Sequence, residues 1–446
     1  MAMLPVTPRG FRDVLPEEAR LREGIIARVQ RRCSLWGYAP IETPTLEVLQ
    51  VLEQGGKLAH QPFRLFDADN ELLVLRPDVT LPIARMVATR LEAALPLRLR
   101  YVQPVFREQE QLQAQARERT QIGVEALGLH GAAADAEVVL LLCEALAACG
   151  LRDFTVAICT VGVLRELLDA CLRDSDLGED WRNRVLRACH ESNLVTLDGL
   201  VSDARLDARY AQALRKIVTL SGGGEAIAAC QAIATPLGCA DGLDELAASW
   251  EIIEAFAGGH VRVDFSVMSA FDYYTGLVLE AYAPGVGVAL GSGGRYDGML
   301  SAYGLDAPAV GFAFSLETVM QALVAQVGDD GQPQTPDLQT VEVVETDPVA
   351  AFRRAGELRA AGQRAVLQVA DEGAAGAVTT GAGATAAPGA ATATAATPDS
   401  ATPAPAAPGA TAAPATVTAT AATPASAATA VPSTNFGTEV PECPKR

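Results

Sequence analysis

Two long segments carry apolar residues at the three- and four-residue spacing of an amphipathic helix. In residues 17–36, directly after Pro16, which suits a helix start, these positions are Leu21, Ile25, Ile26, Val29 and Cys33. The apolar run ADAEVVLLLCEALAAC predicts a second helix, opened by Asp135 and ended by Gly150.

Alternation of apolar and polar residues predicts β-strands elsewhere. The clearest examples are LRLRYVQPVF, YTGLVLEAY and HVRVDFSV, the last with Val261, Val263, Phe265 and Val267 on one face. Strands that follow one another across short glycine turns, as in VGVALGSGGRYD, favour antiparallel pairing with helices packed on the sheet. The predicted fold class is therefore α+β. Residues 160–258 are almost wholly helical in pattern and predict an inserted helical subdomain.

The C-terminal part of the sequence contains a short strand–helix–strand pattern followed by a low-complexity segment. VEVVE at 341–345, AAFRRAGELRAAG at 350–362 and RAVLQVAD at 364–371 predict strand, helix and strand, the helix closed by Gly362. This βαβ unit, 336–372, is too small to be a domain alone. Residues 373–446 are rich in Ala, Thr, Pro, Gly and Ser, so they predict a disordered low-complexity tail. A solvated appendage and a partner-binding tether are the two interpretations of that tail.

Charge and cysteine usage narrow the function classes. The chain has 35 basic and 54 acidic residues, a formal net charge of −19, which disfavours a polyphosphate partner such as tRNA. Its nine cysteines are scattered, without a CxxC pair or a histidine at ligand spacing, so we expect buried thiols and no metal site. The start has no apolar signal core, and the most apolar run is broken by Glu144. We expect a cytoplasmic protein without a membrane span, and nothing in the sequence calls for a cofactor.

Four short stretches combine polar, aromatic and glycine residues in a way that is unusual for a core. They are LRPDVT (75–80), VFREQEQLQAQARERTQIGVEALG (105–128), FDYYTGLVLEAY (271–282) and GSGGRYDG (291–298). A free amino acid such as histidine needs an acceptor for its ammonium, a donor for its carboxylate and a partner for its imidazole. The stretches supply candidates for the three groups, in that order: Asp78 and Thr80, Arg107 and Gln121, and Glu125 with one of Tyr273 and Tyr274.

Each candidate also has an ordinary structural interpretation. Paired tyrosines are usually core aromatics, an RPD sequence is usually only a turn, and Arg107 could form a simple salt bridge. The glycines of GSGG would let a backbone approach a ligand closely. Taken one by one, these residues leave the functional and the structural interpretation open.

The order of the motifs is more specific than any single motif. PRGFRDVLPEEA, LRPDVT, VFREQE, QIGVEALG, FDYYTG, GGRYDG and PAVGFAFSLE occur in the order and approximate spacing of histidyl-tRNA synthetases, over about residues 7–325, and the chain resembles that family. The resemblance implies a class II synthetase-like core over residues 1–325, with an antiparallel sheet flanked by helices, normally a dimer. It also implies a histidine pocket built from the candidates above, and that the 336–372 unit resembles the opening of the family's anticodon-binding domain.

Four positions depart from the synthetase pattern. Ser269 and Thr318 stand where the family carries arginines, Gln115 replaces a loop arginine, and Gln109 replaces an acidic residue. Formation of an adenylate requires fixed cationic donors around the reacting phosphates, which serine, threonine and glutamine cannot supply. We therefore expect these to be lost catalytic positions.

A retained histidine pocket beside a lost ATP site resembles a related family, the regulatory subunits of ATP phosphoribosyltransferase. LSGGGEAIAACQAIA in the helical insertion also looks more like this family than like a synthetase. The resemblance implies a non-catalytic protein, a homodimer within a hetero-oligomer, that associates with a short-form catalytic subunit. It would make the first enzyme of histidine biosynthesis active and subject to histidine feedback. A divergent active synthetase, and a scaffold whose pocket binds nothing, are the alternatives.

Overall fold

A computed structural model describes residues 7–327 except 57, 59, 92–93, 109–115, 192 and 268–272, together with residues 340–343 and 347–367. All of these residues belong to one compact unit, residues 1–375. The predicted low-complexity tail, 373–446, lies outside the described residues.

The strands are numbered in chain order. They are β1 (Ala39–Pro40), β2 (Leu46–Val48), β3 (Arg64–Phe66), β4 (Leu72–Leu75), β5 (Leu97–Phe106), β6 (Glu118–Leu127), β7 (Thr155–Thr160), β8 (Ser221–Gly222), β9 (Val261–Asp264), β10 (Leu277–Tyr282), β11 (Gly291–Arg295), β12 (Ala309–Ser315), β13 (Thr340–Val343) and β14 (Arg364–Leu367).

The α-helices are numbered in the same way. They are α1 (Pro16–Leu35), α2 (Leu49–Gln54), α3 (Thr80–Met86), α4 (Ala132–Cys149), α5 (Gly162–Arg173), α6 (Glu179–His190), α7 (Leu194–Asp203), α8 (Ala208–Ile217), α9 (Gly224–Ala234), α10 (Leu243–Phe256), α11 (Gly298–Ser301), α12 (Leu316–Val327) and α13 (Pro348–Ala360).

A nine-stranded sheet organises the part of the chain that the structure describes. Its order is β1-β5-β6-β12-β11-β10-β7-β9-β8. Every pair from β5 to β7 is antiparallel, whereas β1–β5 and β7–β9 are parallel. Helices α1, α4 and α10 pack together beside this sheet. The predicted α+β class with a synthetase-like antiparallel centre is confirmed, with parallel pairs only toward the edges.

Helices α1 and α4 form where the apolar periodicity predicts them. Helix α1 begins at Pro16 and buries Ile25, Val29 and Cys33 on the face that packs on α4. Helix α4 ends at Cys149 and is capped by Gly150, whose φ of +108° is accessible to glycine but strained for other residues. The chain therefore leaves α4 at the position that the sequence indicates.

Asp135 does not open α4, contrary to the sequence-based prediction. The helix begins at Ala132 after Gly131, without a side-chain cap. Asp135 is buried in the first turn, where its Oδ1 accepts hydrogen bonds from Nε of Arg295 at 3.0 Å and from Nη2 at 2.5 Å. A buried carboxylate needs a charged, hydrogen-bonded partner, so this ion pair determines the position of Asp135.

The GSGG segment is a strand and not the glycine turn that its composition predicts. It forms β11, which pairs antiparallel with both β10 and β12, as the predicted pairing requires. A Cβ atom added to Gly293 would lie 2.7 Å from Cα of Phe312 on β12. Glycine is present because no side chain fits between these two strands.

Residues 162–256 contain α5 to α10 and the edge strand β8, which matches the helical pattern predicted for 160–258. Their assignment as an inserted subdomain stays a prediction. Strands β13 and β14 pair in parallel and α13 covers them, burying Val343, Ala351, Ala355 and Ala365. These elements follow the predicted strand–helix–strand order, and the 336–372 unit and its relation to an anticodon-binding domain stay predictions. Among the described residues, no helix is long and apolar enough to cross a membrane.

Candidate functional site

A cavity of about 250 Å³ lies over the central strands β5, β6, β12, β11 and β10. All of the residues predicted to recognise a free amino acid line it: Asp78, Thr80, Arg107, Gln121, Glu125, Tyr273 and Tyr274. The two glycines Gly291 and Gly293 of β11 also line it. The structure therefore brings together side chains from segments almost 200 residues apart in the sequence.

Strand register places Glu125 at the bottom of this cavity. On β6 it stands opposite Gly311 of β12, where an added Cβ would contact the Glu125 carboxylate. Two residues earlier, Gly123 stands opposite Tyr101 of β5, and an added Cβ there would lie 2.5 Å from Cζ of Tyr101. The two glycines make room for the carboxylate and for the tyrosine ring that reaches it.

Glu125 is only 1% exposed, and its carboxylate accepts three hydrogen bonds from hydroxyl groups. Thr80 Oγ1 donates to Oε1 at 2.9 Å, Tyr101 OH donates to the same oxygen at 3.4 Å, and Tyr296 OH donates to Oε2. Burial raises the pKa of Glu125 to about 7, although the hydroxyl donors oppose that shift. A carboxyl group of this kind changes charge near neutral pH.

Asp78 lies on a loop that buried Arg76 anchors. The Arg76 guanidinium donates to the carbonyl oxygens of Thr43 at 2.6 Å and of Pro104 at 2.8 Å, which ties the loop to β5. Asp78 accepts a hydrogen bond from the Leu81 amide at 3.1 Å in the first turn of α3. Burial raises the pKa of Asp78, so the cavity holds two carboxyl groups that are costly to ionise.

Arg107 and Gln121 supply the polar groups on another side of the cavity. Nε of Arg107 donates to the Pro77 carbonyl oxygen at 3.0 Å, and burial lowers the Arg107 pKa to about 10, so the group stays cationic at neutral pH. Oε1 of Gln121 is buried and has no hydrogen-bond partner within the described residues. An unsatisfied buried acceptor is costly, so this atom favours a ligand that donates a hydrogen bond.

Three tyrosines form one aromatic cluster at the cavity. The ring centroids of Tyr273 and Tyr274 are 4.9 Å apart, and those of Tyr273 and Tyr296 are 6.1 Å apart. Burial raises the pKa of Tyr273 and of Tyr296 well above the usual value. Their hydroxyl groups therefore keep their protons and remain hydrogen-bond donors.

One of the four departures from the synthetase pattern can be placed. Thr318 lines the cavity and is 6% exposed, with its amide donating to Ser315 Oγ at 3.3 Å. Ser269, Gln109 and Gln115 lie outside the described residues. At the Thr318 position the cavity wall carries a neutral hydroxyl group.

The sequence-based prediction missed five titratable residues at the site. Tyr101 and Tyr296 hydrogen-bond to Glu125, and His60, Arg119 and Glu280 line the cavity. Tyr296 lies inside the GGRYDG motif and could have been found there. Burial, with Arg107 and Arg119 nearby, lowers the His60 pKa to about 3, so this imidazole is neutral.

The chain matches the family model described as histidyl-tRNA synthetase over residues 10–319. The ATP phosphoribosyltransferase regulatory subunit of Moorella thermoacetica is 35% identical over 366 residues, which cover 81% of this chain and 91% of that protein. The regulatory subunit of Halalkalibacterium halodurans is 36% identical over 364 residues, 81% of this chain and 90% of that protein.

Solved structures agree with these relatives. An ATP phosphoribosyltransferase regulatory subunit/histidyl-tRNA synthetase from Bacillus halodurans aligns with a TM-score of 0.73 at 34% identity, covering 83% of this chain and 96% of its own. A histidyl-tRNA synthetase from Nostoc aligns with a TM-score of 0.70 at 21% identity, covering 83% and 87%, which supports the fold alone. This chain therefore belongs to the ATP phosphoribosyltransferase regulatory subunit family and has a histidyl-tRNA synthetase-like fold.

Proposed function

We propose that this protein is the non-catalytic regulatory subunit of a hetero-oligomeric ATP phosphoribosyltransferase and that histidine binds in the cavity to inhibit the complex. A short-form catalytic subunit would require this chain for activity, and the chain would form a homodimer within the assembly, in the cytoplasm. One observation carries the proposal: the seven side chains chosen to recognise a free amino acid line a single cavity of about 250 Å³. Ligand pockets usually measure about 300–1,000 Å³, so a small metabolite is the appropriate occupant.

The contacts in the cavity suggest how histidine would be held. Asp78 accepts from the ammonium, and the unsatisfied Oε1 of Gln121 is better suited to the same group than to the carboxylate for which the sequence suggested it. Arg107 remains the donor for the carboxylate. Glu125 and one of Tyr273 and Tyr274 then contact the imidazole.

The lost arginines argue against synthetase chemistry. A threonine hydroxyl at position 318 cannot provide the charge that stabilises a reacting phosphate, and the same holds for Ser269 and Gln115 in the sequence. The acidic net charge also disfavours tRNA. Histidine-dependent exchange of pyrophosphate into ATP tests the alternative of a divergent active synthetase, and we expect the purified chain to show none.

Histidine would act by favouring one of two arrangements of the assembly. Such a ligand can shift the equilibrium only by its difference in affinity for the two arrangements. Inhibition at a distance therefore requires that the cavity change between them. Calorimetry on the purified complex measures the affinity directly, and undetectable binding would contradict the proposed site.

The decisive experiment combines co-purification with an assay. The chain is co-expressed with a short-form catalytic subunit, and phosphoribosyl transfer is measured across a range of histidine concentrations. Replacing Glu125→Gln removes a charged hydrogen-bond partner, so half-inhibition should need about 10–100 times more histidine. Glu179→Gln, on a side chain that is 71% exposed, is the matched control and should leave the inhibition curve unchanged.

Two results would contradict parts of the proposed function. If Glu125→Gln leaves histidine inhibition unchanged while the partner is still activated, the chain is a scaffold and histidine acts elsewhere. If the catalytic subunit neither co-purifies with the chain nor gains activity from it, the regulatory role itself is wrong.

A further inference from the structure

We propose that the Glu125 carboxyl group carries a proton when no amino acid is bound. It loses this proton when an N–H group of the bound amino acid donates a hydrogen bond to it. The inference rests on the proposed histidine site and adds to it a coupling between occupancy and protonation. In the coupled step the O–H bond of Glu125 breaks, its bonding electron pair stays on the carboxylate oxygen, and the proton leaves to solvent. The carboxylate then accepts a hydrogen bond from the ligand.

The contacts of Glu125 are the basis of this proposal. All three hydrogen bonds that it receives come from neutral hydroxyl groups, those of Thr80, Tyr101 and Tyr296. Among the described residues, the interactions that lower the pKa of Glu125 are hydrogen bonds from these hydroxyl groups, although Arg107 and Arg119 line the same cavity. A buried carboxylate without a close counterion is expensive, and taking up a proton removes that cost.

The neighbouring groups act on Glu125 in opposite directions: Asp78 favours its neutral form, and the hydroxyl groups of Tyr101 and Tyr296 favour its ionised form. Those that face Glu125 from the surrounding elements are Asp78 before α3, Tyr101 on β5, Tyr273 before β10 and Tyr296 after β11. Asp78 opposes ionisation of Glu125 by like charge, and the tyrosines keep their protons because they are buried. Arg107, directly after β5, faces the same cavity and interacts more directly with Asp78. A ligand that is cationic or donates an N–H group therefore stabilises the ionised forms of Asp78 and Glu125, which burial disfavours.

The direction of the coupling follows from these contacts. Burial raises the pKa of Glu125 to about 7 in the empty cavity, so about half of the molecules carry the proton at neutral pH. A hydrogen bond from the ligand to the carboxylate favours the ionised form and lowers that pKa. Binding to Glu125 must therefore expel a proton at low pH, which weakens binding by up to about tenfold for each pH unit below the pKa.

Infrared difference spectroscopy on the full chain with ¹³C-labelled glutamate tests both parts of the proposal. In the free protein, a protonated glutamic acid carbonyl band should disappear with a midpoint near pH 7. Saturating histidine near that pH should remove the rest of the band, and histidine should have little effect about two pH units higher, where the group is already ionised. The glutamate label excludes Asp78 from the signal.

Variants assign the band. Glu125→Gln should lack it in the free protein, whether or not that variant binds histidine, provided that circular dichroism shows a native fold. The matched Glu179→Gln variant should keep it. Tyr296→Phe removes a donor to the ionised carboxylate, so its midpoint should move to higher pH; a purely structural role would leave the midpoint in place.

The possible failures are distinguishable. If calorimetry shows that histidine binds and the band is absent from the free protein or survives saturation, the proton coupling is wrong and the histidine site stands. If histidine does not bind, the proposed site fails, and the pH titration of the free protein still decides whether Glu125 stores a proton.

Discussion

We predict that the ion pair between Arg295 and Asp135 makes a large contribution to the stability of the fold around β11. Arg295 ends β11 next to the cavity, and its guanidinium donates to Asp135, to Asp297 at 3.1 Å and to the Leu129 carbonyl oxygen at 3.2 Å. The Arg295 and Asp135 side chains are 5% and 4% exposed. Replacing Arg295→Met keeps most of the packed volume and removes every one of these donors.

The magnitude follows from the burial of the partner that remains. Removing one member of a buried ion pair typically costs about 3–5 kcal/mol, because the remaining charge is left without a counterion. Burial already raises the pKa of Asp135 to about 6 with Arg295 present, and without the arginine it should rise further. A folded-state pKa above the unfolded one means that stability falls as pH rises through it, so the variant should be less destabilised at low pH than at high pH.

Denaturant unfolding followed by tryptophan fluorescence measures this loss. The control is Arg215→Met, which breaks a solvent-exposed pair with Asp198 at 2.5 Å and should cost less than about 1 kcal/mol. Adding Asp135→Asn to Arg295→Met should restore part of the loss. The reasoning fails if Arg295→Met unfolds at the same denaturant concentration as Arg215→Met at high pH, or if the double variant is as unstable as the two single losses added together.

Two further predictions concern close packing and thiol chemistry. Gly293→Ala places a Cβ atom against the backbone of β12 and should lower the free energy of unfolding by about 1–3 kcal/mol. In the control Gly298→Ala the added Cβ has no neighbouring atom within 4 Å, so the free energy of unfolding should hardly change. Denaturant titrations measure both. Burial raises the pKa of Cys33 to about 11 and of Cys143 to about 12, so peptide mapping after iodoacetamide treatment of the native protein should find both unmodified; labelling before unfolding would show that these thiols are accessible.

The spacing of apolar residues predicted the helices and strands that bury one face and expose the other. Helix α1 and strand β5 lie where their periodicities place them, and the face of Val261 and Val263 is buried as expected, because each pattern matches the local geometry of its element. Strand β11 did not follow its glycine-rich composition. Its conformation is determined by strands on both sides, and no local pattern encodes that contact.

The candidate site shows the same division. The seven cavity residues could be grouped because their motifs occur in the order of a known family. Proteins that share a fold also share strand register, so residues distant in sequence are expected to lie together. Tyr101 was missed because its role depends on the alignment of β5 with β6, which brings its hydroxyl over Gly123 to Glu125. Asp135 was misplaced for a similar reason, since its partner Arg295 is 160 residues away in the sequence.

The two outermost strands of the main sheet have a consequence for how this protein can meet other chains. Strands β1 and β8 are two residues long, and one of the two residues of β1 is Pro40, which has no amide hydrogen to donate. Beyond β1, Arg76 covers more of the β5 border by accepting from Phe106 and donating to Pro104. An incoming polypeptide therefore finds few unpaired backbone groups next to β1 and β8, so addition of a further strand to the nine-stranded sheet is disfavoured.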